Sequence, residues 1–266
     1  MRLFVALALC CISTVALSAQ DWAKPRLENS PRHLEWVKVK NGNREVNSFI
    51  AFPEVKTKAT AVIVIHEIFG LSDWVRGVTD QLAAEGYIAI APDLLTGMGP
   101  NGTGSKELGN DGARGVIGKL PPDQITADLN ACVEYCKKLD ACNGKVVVCG
   151  FCWGGGQTFR FANNNSEVKA FFPFYGGGPT TEKDAANIKG PIYGFFAAKD
   201  ARVNASLPKA SEFLKARNVT FDFVTLETGG HGFMRRGEDP NDQDAENQKK
   251  ARAEAWKRWL ELLKKV

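Results

Sequence analysis

The chain has 266 residues, of which 44% are hydrophobic and 24% charged, and a formal net charge of +4. That length buries one sizeable core and is common for a single α/β domain. The positive balance is mild and spread along the chain, which excludes a clustered nucleic-acid surface.

At the start, Arg2 and the apolar stretch Leu3 to Leu17 lead to the small residues Ser18 and Ala19 and then to polar Gln20-Asp21. This is the layout of a secretory signal peptide over residues 1–19, cut after Ser18 or Ala19. The apolar run falls short of the roughly 20 residues that span a bilayer, and no later segment reaches that length. The mature protein, residues 20–266, is therefore expected to be secreted or periplasmic, with no membrane segment. Cys10 and Cys11 leave with the leader, so Cys132, Cys136, Cys142, Cys149 and Cys152 remain. An odd count outside the cytosol points to one free thiol and one or two bridges among the others, with Cys132, Cys136 and Cys142 as candidates.

Leu34 to Lys40 and Glu45 to Phe52 flank Asn41-Gly42-Asn43, a strong hairpin signal. Thr60 to Ile65 is apolar and β-branched throughout, as in a strand buried on both faces. A helix is expected over Trp74 to Glu85, closed by Gly86, with a strand over Tyr87 to Ala91. Leu95 to Leu120, rich in glycine and asparagine, reads as a long loop, either a lid or a solvated insertion.

Beyond it the pattern alternates: helix Pro122 to Leu139, strand Lys145 to Cys149, a helix to about Ala162, strands Val168 to Phe174 and Ile192 to Ala197, helix Leu207 to Ala216, strand Thr220 to Leu226, and a terminal helix Asp244 to Leu263. Strands separated by helices imply a mostly parallel central sheet with helices on both faces, the α/β sandwich of the hydrolase type.

Gly150-Phe151-Cys152-Trp153-Gly154 follows the strand Lys145 to Cys149. It reads as a nucleophile elbow with a thiol in place of the usual hydroxyl, the glycines being needed because side chains there would collide with backbone. The following helix offers free N–H groups to a thiolate or an oxyanion. A thiol needs a base, and of His33, His66 and His231 only the last lies in a glycine-flanked loop after a late strand, Gly229-Gly230-His231-Gly232-Phe233. Asp200, at the end of the strand from Pro191, completes the order nucleophile, acid, base; Asp184 and Asp222 are poorer placed. The backbone amides of Ile68 and Trp153 are the expected oxyanion donors, and Glu67 is a carboxylate within potential reach of the thiol.

Rival readings exist. Cys149-Gly150-Phe151-Cys152 is also a C-x-x-C between a strand and a helix, as in exported thiol-disulfide oxidoreductases, although strand alternation turns Cys149 inward. A non-catalytic binding protein on the same fold is a further reading. The cysteine spacing does not form paired zinc ligands, so no metal is expected.

Glu67-Ile68-Phe69-Gly70, Gly150-Phe151-Cys152-Trp153-Gly154-Gly155, the strand end at Asp200 and Gly230-His231-Gly232-Phe233 together resemble the dienelactone hydrolase family. The resemblance implies an α/β-hydrolase fold, a Cys152-His231-Asp200 triad acting without a cofactor, and a small ester or lactone as substrate. It also implies that Glu67 contacts the resting thiol and helps deprotonate it when substrate binds. Of the two arginines that hold a dienelactone carboxylate, Arg235 matches one. After Pro92-Asp93-Leu94 the sequence has Leu95-Thr96-Gly97, so the second is missing and dienelactone itself is a doubtful substrate. Arg235 is then expected to bind an anionic group on some other ester or lactone.

Overall fold

The computed structural model describes residues 20–266. The signal-peptide reading of residues 1–19 lies outside the described residues. One eight-stranded sheet runs through the molecule in the order β1-β2-β4-β3-β5-β6-β7-β8. The strands are β1 (Leu34–Asn41), β2 (Arg44–Ala51), β3 (Ala59–Ile65), β4 (Ile88–Pro92), β5 (Cys142–Phe151), β6 (Phe171–Phe174), β7 (Ile192–Ala197) and β8 (Phe221–Leu226). The α-helices are α1 (Lys24–Glu28), α2 (Asp73–Ala84), α3 (Ser105–Val116), α4 (Pro122–Lys137), α5 (Trp153–Ala162), α6 (Glu182–Ala185), α7 (Ala201–Asn204), α8 (Leu207–Ala216), α9 (Phe233–Arg236) and α10 (Ala245–Leu263).

The opening hairpin is antiparallel and pairs antiparallel with β4; from β4 onward the strands are parallel. Gly42, at φ 59°, supplies the left-handed position that the two-residue turn needs. The hairpin is fastened by Asp128 of α4, whose buried carboxylate accepts from Asn41 Nδ2 (2.8 Å) and Arg44 Nε (3.0 Å).

Alternation along the strands sorts the core into two layers. Ile63, Ile65, Ile90, Val146 and Val148 face α4, α5 and α8. Val62, Val64, Val147, Phe172, Phe174 and Phe195 face α2 and α10, where Trp74 and Trp259 are fully buried. Full burial of each such side chain contributes on the order of 2 kcal/mol, so a one-residue slip of a strand would expose an entire layer.

The segment read as a loop is folded. Leu95 to Leu120 contains α3 and two short 3-10 turns, with Gly109 at φ 63° kinking α3. The cause is tertiary: Asp93 accepts from the Ser105 backbone N–H (2.8 Å) at the helix start and from the Ser105 hydroxyl (2.5 Å). That hydroxyl in turn accepts from Leu71 N–H (2.9 Å), tying the insertion to the loop after β3. Strand β6 begins at Phe171 rather than Val168 because Asn165 Oδ1 takes the N–H groups of Glu167 and Val168 into a turn.

The chain passes from β3 to β4 on one side and later to β5 on the other, so strand order reverses beside β3. In open α/β sheets the crevice at such a reversal, outside the carboxyl ends of the strands, is where ligands bind. Glu67 follows β3 and Cys152 follows β5 there.

Candidate active site

Cys152 stands between β5 and α5 at φ 56°, ψ −114°, a conformation that costs a non-glycine residue on the order of 1–3 kcal/mol. Its surroundings enforce the turn. The Cys152 N–H donates to Phe174 C=O (3.0 Å), and its C=O accepts from Gly156 N–H (3.2 Å). A methyl group on Gly154 would lie 2.4 Å from Ile65 O and 2.5 Å from His66 O; one on Gly155 would lie 2.5 Å from Phe174 O. Only hydrogen at these positions lets α5 start directly against the ends of β3 and β6.

His231 Nδ1–H donates to Asp200 Oδ2 at 2.5 Å, and the Cys152 thiol donates to His231 Nε2 at 3.1 Å. An ionised carboxylate only accepts, which fixes the Nδ1–H tautomer and leaves Nε2 free to take a proton. Asp200 also accepts from Val203 N–H (3.3 Å) as the cap of α7, which holds its second oxygen. The His231 loop is set by Gln248 of α10, fully buried, which accepts from Gly230 N–H (3.1 Å), while Gly232 at φ 79° turns the chain into α9.

The thiol is neutral at rest: burial first, then the nearby Glu67 carboxylate, push its pKa up to about 11, against the Trp153 N–H and the guanidinium groups of Arg202 and Arg235. Near Ile68, the Glu67 C=O receives His66 Nδ1–H (2.8 Å) and Gly70 N–H (3.2 Å). Because the peptide is planar and trans, the Ile68 N–H points the opposite way from that carbonyl.

Two of the expected site residues have resting partners that the sequence did not show. Glu67 does not hydrogen-bond the thiol. Its buried carboxylate accepts from Arg235 Nε (2.9 Å) and from the Tyr175 hydroxyl (3.3 Å). Arg235, expected to bind a substrate anion, pairs here with an internal carboxylate and also lies over the Phe69 ring at 5.3 Å. An unpaired carboxylate in that position would be costly, and the arginine meets it.

The five described cysteines are all free thiols, so the structure contains no bridge among Cys132, Cys136 and Cys142. Cys149 is sealed in the core among Val62, Val64 and Phe172, its pKa raised well above the ordinary range by burial, which removes support from the C-x-x-C redox reading. The rejected candidates sit elsewhere. Asp222 pairs with Arg258 (2.7 Å), Asp184 caps α6 through Thr181, and His33 lies near Glu35 on the surface. His66 is fully buried and stacks on Trp153. Among the described residues no group of His, Cys, Asp and Glu is arranged to hold a metal ion.

Tyr175 and Arg202 escaped the sequence reading. Tyr175 is fully buried at φ 38°, with its ring against His231 (5.3 Å) and Phe233 (5.0 Å). Its one sequence signal is the glycine run Gly176-Gly177-Gly178 that follows, which marks close packing of this turn on α5.

Comparison with known proteins agrees with this architecture. A protein of Methylorubrum extorquens that carries the name carboxymethylenebutenolidase is 30% identical over 74% of this chain and 71% of its own length. A Synechocystis protein of the same name is 30% identical over 85% of this chain and 94% of its own. Among solved structures, one named as a dienelactone hydrolase from Klebsiella pneumoniae superposes with TM-score 0.76 at 24% identity, covering 88% of this chain and 99% of that one. The acylaminoacyl peptidase of Pyrococcus horikoshii shares the fold at TM-score 0.64 and 16% identity, over 88% of this chain and 41% of that one. The model of the dienelactone hydrolase family matches residues 46–266, and with its parallel sheet and reversed strand order the chain belongs to that family and has the α/β-hydrolase fold.

Proposed function

We propose that the protein hydrolyses small carboxylic esters or lactones, with Cys152 as nucleophile. The observation that carries this reading is the unbroken line of hydrogen bonds from the Cys152 thiol through His231 to buried Asp200. As sulfur attacks the carbonyl carbon, its proton passes to His231 Nε2, and the new oxyanion lies toward the N–H groups of Trp153 and Ile68. Collapse breaks the C–O bond, the leaving oxygen takes the proton from His231, and a thioester remains on Cys152. Water then attacks the thioester with His231 as base, releasing the acid and restoring the thiol. Asp200 holds the imidazole in its tautomer and stabilises its charged form. Glu67, clamped by Arg235 and Tyr175, disfavours a standing thiolate, the form most readily oxidised. No cofactor is needed for this chemistry.

We also propose export, supported by the leader pattern of residues 1–19. Recovery of protein outside the cytosol with Ala19 or Gln20 at its terminus is the expected result. The catalytic reading is tested by rapid mixing with a chromogenic ester. A burst equal to the enzyme concentration, an acyl mass adduct on Cys152, and loss of both in Cys152→Ala are expected. Turnover that survives Cys152→Ala would overturn it.

A further inference from the structure

His66 directly follows β3, is completely buried and takes no part in the proton transfers. Burial lowers its pKa, against the field of the Asp93 carboxylate, so the ring is neutral. Its Nδ1 lies 2.8 Å from Glu67 C=O, and because a carbonyl only accepts, the proton sits on Nδ1. Nε2 is then a bare lone pair in the core, with no hydrogen-bond partner among the described residues. A phenyl ring would fill the same space without burying that nitrogen, so the imidazole is explained by what its Nδ1–H holds. It holds the peptide between Glu67 and Ile68, whose N–H faces away from the carbonyl. The turn's own bond to that carbonyl, from Gly70 N–H, is longer at 3.2 Å and moves with the turn. His66 is anchored outside the turn, its backbone oxygen so close to Gly154 that a methyl group there would lie 2.5 Å away. The same ring stacks on the Trp153 indole, with centroids 5.5 Å apart and planes within 15°.

We propose that His66 is a positioning residue of this site: its Nδ1–H and its stacked ring together hold the Ile68 and Trp153 amides in the geometry that receives the oxyanion. This rests on the hydrolase reading and deepens it. His66 touches no substrate atom and relays no proton. Released from the Nδ1–H, the Glu67–Ile68 peptide can rotate and carry its N–H away from the reacting oxygen. The effect therefore belongs to the transition state, where charge collects on that oxygen, and not to the bound ester.

The experiment compares wild type with His66→Phe, which keeps a ring against Trp153 but loses the donor, and His66→Asn, whose amide N–H can replace Nδ1–H. Steady-state kinetics on p-nitrophenyl butyrate gives kcat and KM. Trifluoromethyl propyl ketone reports on the oxyanion: the Cys152 sulfur bonds to its carbonyl carbon, the thiol proton passes to His231, and the oxygen takes the negative charge. Alkylation of Cys152 by iodoacetamide, followed by mass, forms no oxyanion and serves as the control. His66→Phe is expected to lower kcat about tenfold or more with KM within about twofold, to raise the inhibition constant of the ketone by a similar factor, and to leave alkylation alone. His66→Asn should recover most of kcat. Unchanged kcat and ketone affinity in His66→Phe, a folded His66→Asn as poor as His66→Phe, or alkylation that falls in step with kcat overturns the proposal. Should neither variant fold, wild type decides: nitrogen NMR of its histidines is expected to show His66 as the neutral Nδ1–H tautomer, with a resonance that shifts when the ketone adds. An Nε2–H tautomer, or a resonance indifferent to the ketone, overturns it equally. If wild type hydrolyses no ester while ketone affinity still follows the His66 donor, the hydrolase reading fails and positioning stands. Hydrolysis dependent on Cys152 but indifferent to His66 sinks positioning alone.

Discussion

Replacing Arg235 by methionine tests whether the ion pair with Glu67 supports the floor of the site. The variant keeps an unbranched side chain but removes the guanidinium that lies over the Phe69 ring, and it leaves the Glu67 carboxylate with the Tyr175 hydroxyl as its one remaining side-chain partner among the described residues. The Glu67 side chain is 3% exposed and that of Arg235 20%, so the stranded charge is the more deeply buried of the two. Breaking a buried pair from one side costs about 3–5 kcal/mol, and the partial exposure of Arg235 places this case near 3. With a urea m-value of about 3 kcal/mol per molar, the unfolding midpoint should fall by roughly 1 M. Removing the charge as well, in Glu67→Gln/Arg235→Met, should restore at least about half of that loss, because a neutral amide still reaches Tyr175. Equilibrium urea denaturation followed by tryptophan fluorescence measures all three proteins. A loss under about 0.5 kcal/mol in Arg235→Met, or a double variant no more stable than the single one, would refute the reasoning.

Asp200→Asn, which preserves shape but removes the charge that fixes the His231 tautomer, should lower kcat for a neutral ester by about a thousandfold or more with little change in KM, read by steady-state kinetics. Gly154→Ala forces a methyl group against the carbonyl oxygens of Ile65 and His66, 2.4 and 2.5 Å away, and should abolish the stoichiometric burst while circular dichroism still reports a folded sheet or shows outright loss of fold; an intact burst would contradict the close approach. Cys152, with its pKa raised to about 11, should be alkylated by iodoacetamide about ten times faster at pH 9 than at pH 8, without a plateau below pH 10. A plateau near neutrality would mean a standing thiolate and imidazolium pair. The same shift fixes the sign of a stability effect. A thiol raised on folding stabilises fully below the free-thiol range near 8.5 and loses that contribution as pH rises toward the folded value, so the urea midpoint should decline above about pH 9.

The sheet and the Cys152-His231-Asp200 line were legible because both are written locally. Buried parallel strands need unbroken apolar runs such as Ala59–Ile65, and an elbow needs glycines on both sides of its nucleophile. The Glu67–Arg235 pair was not, since its members are 168 residues apart and each has a plausible role alone. Nor was α3, whose glycines dilute helix propensity and whose first N–H is capped by Asp93, 12 residues earlier, not by an adjacent side chain. Spacing from His231 picked out Arg235, but it could not show the buried carboxylate that faces it. Tyr175 needed the packing of Gly176 on Gly155, where a methyl group would lie 2.3 Å from backbone.

Of the five cysteine thiols beyond residue 19, four are enclosed in apolar layers and one stands at the rim. Among the described residues, a maleimide dye or a spin label would thus meet a single handle. Every labelled molecule would report from the same point, the place where β5 gives way to α5.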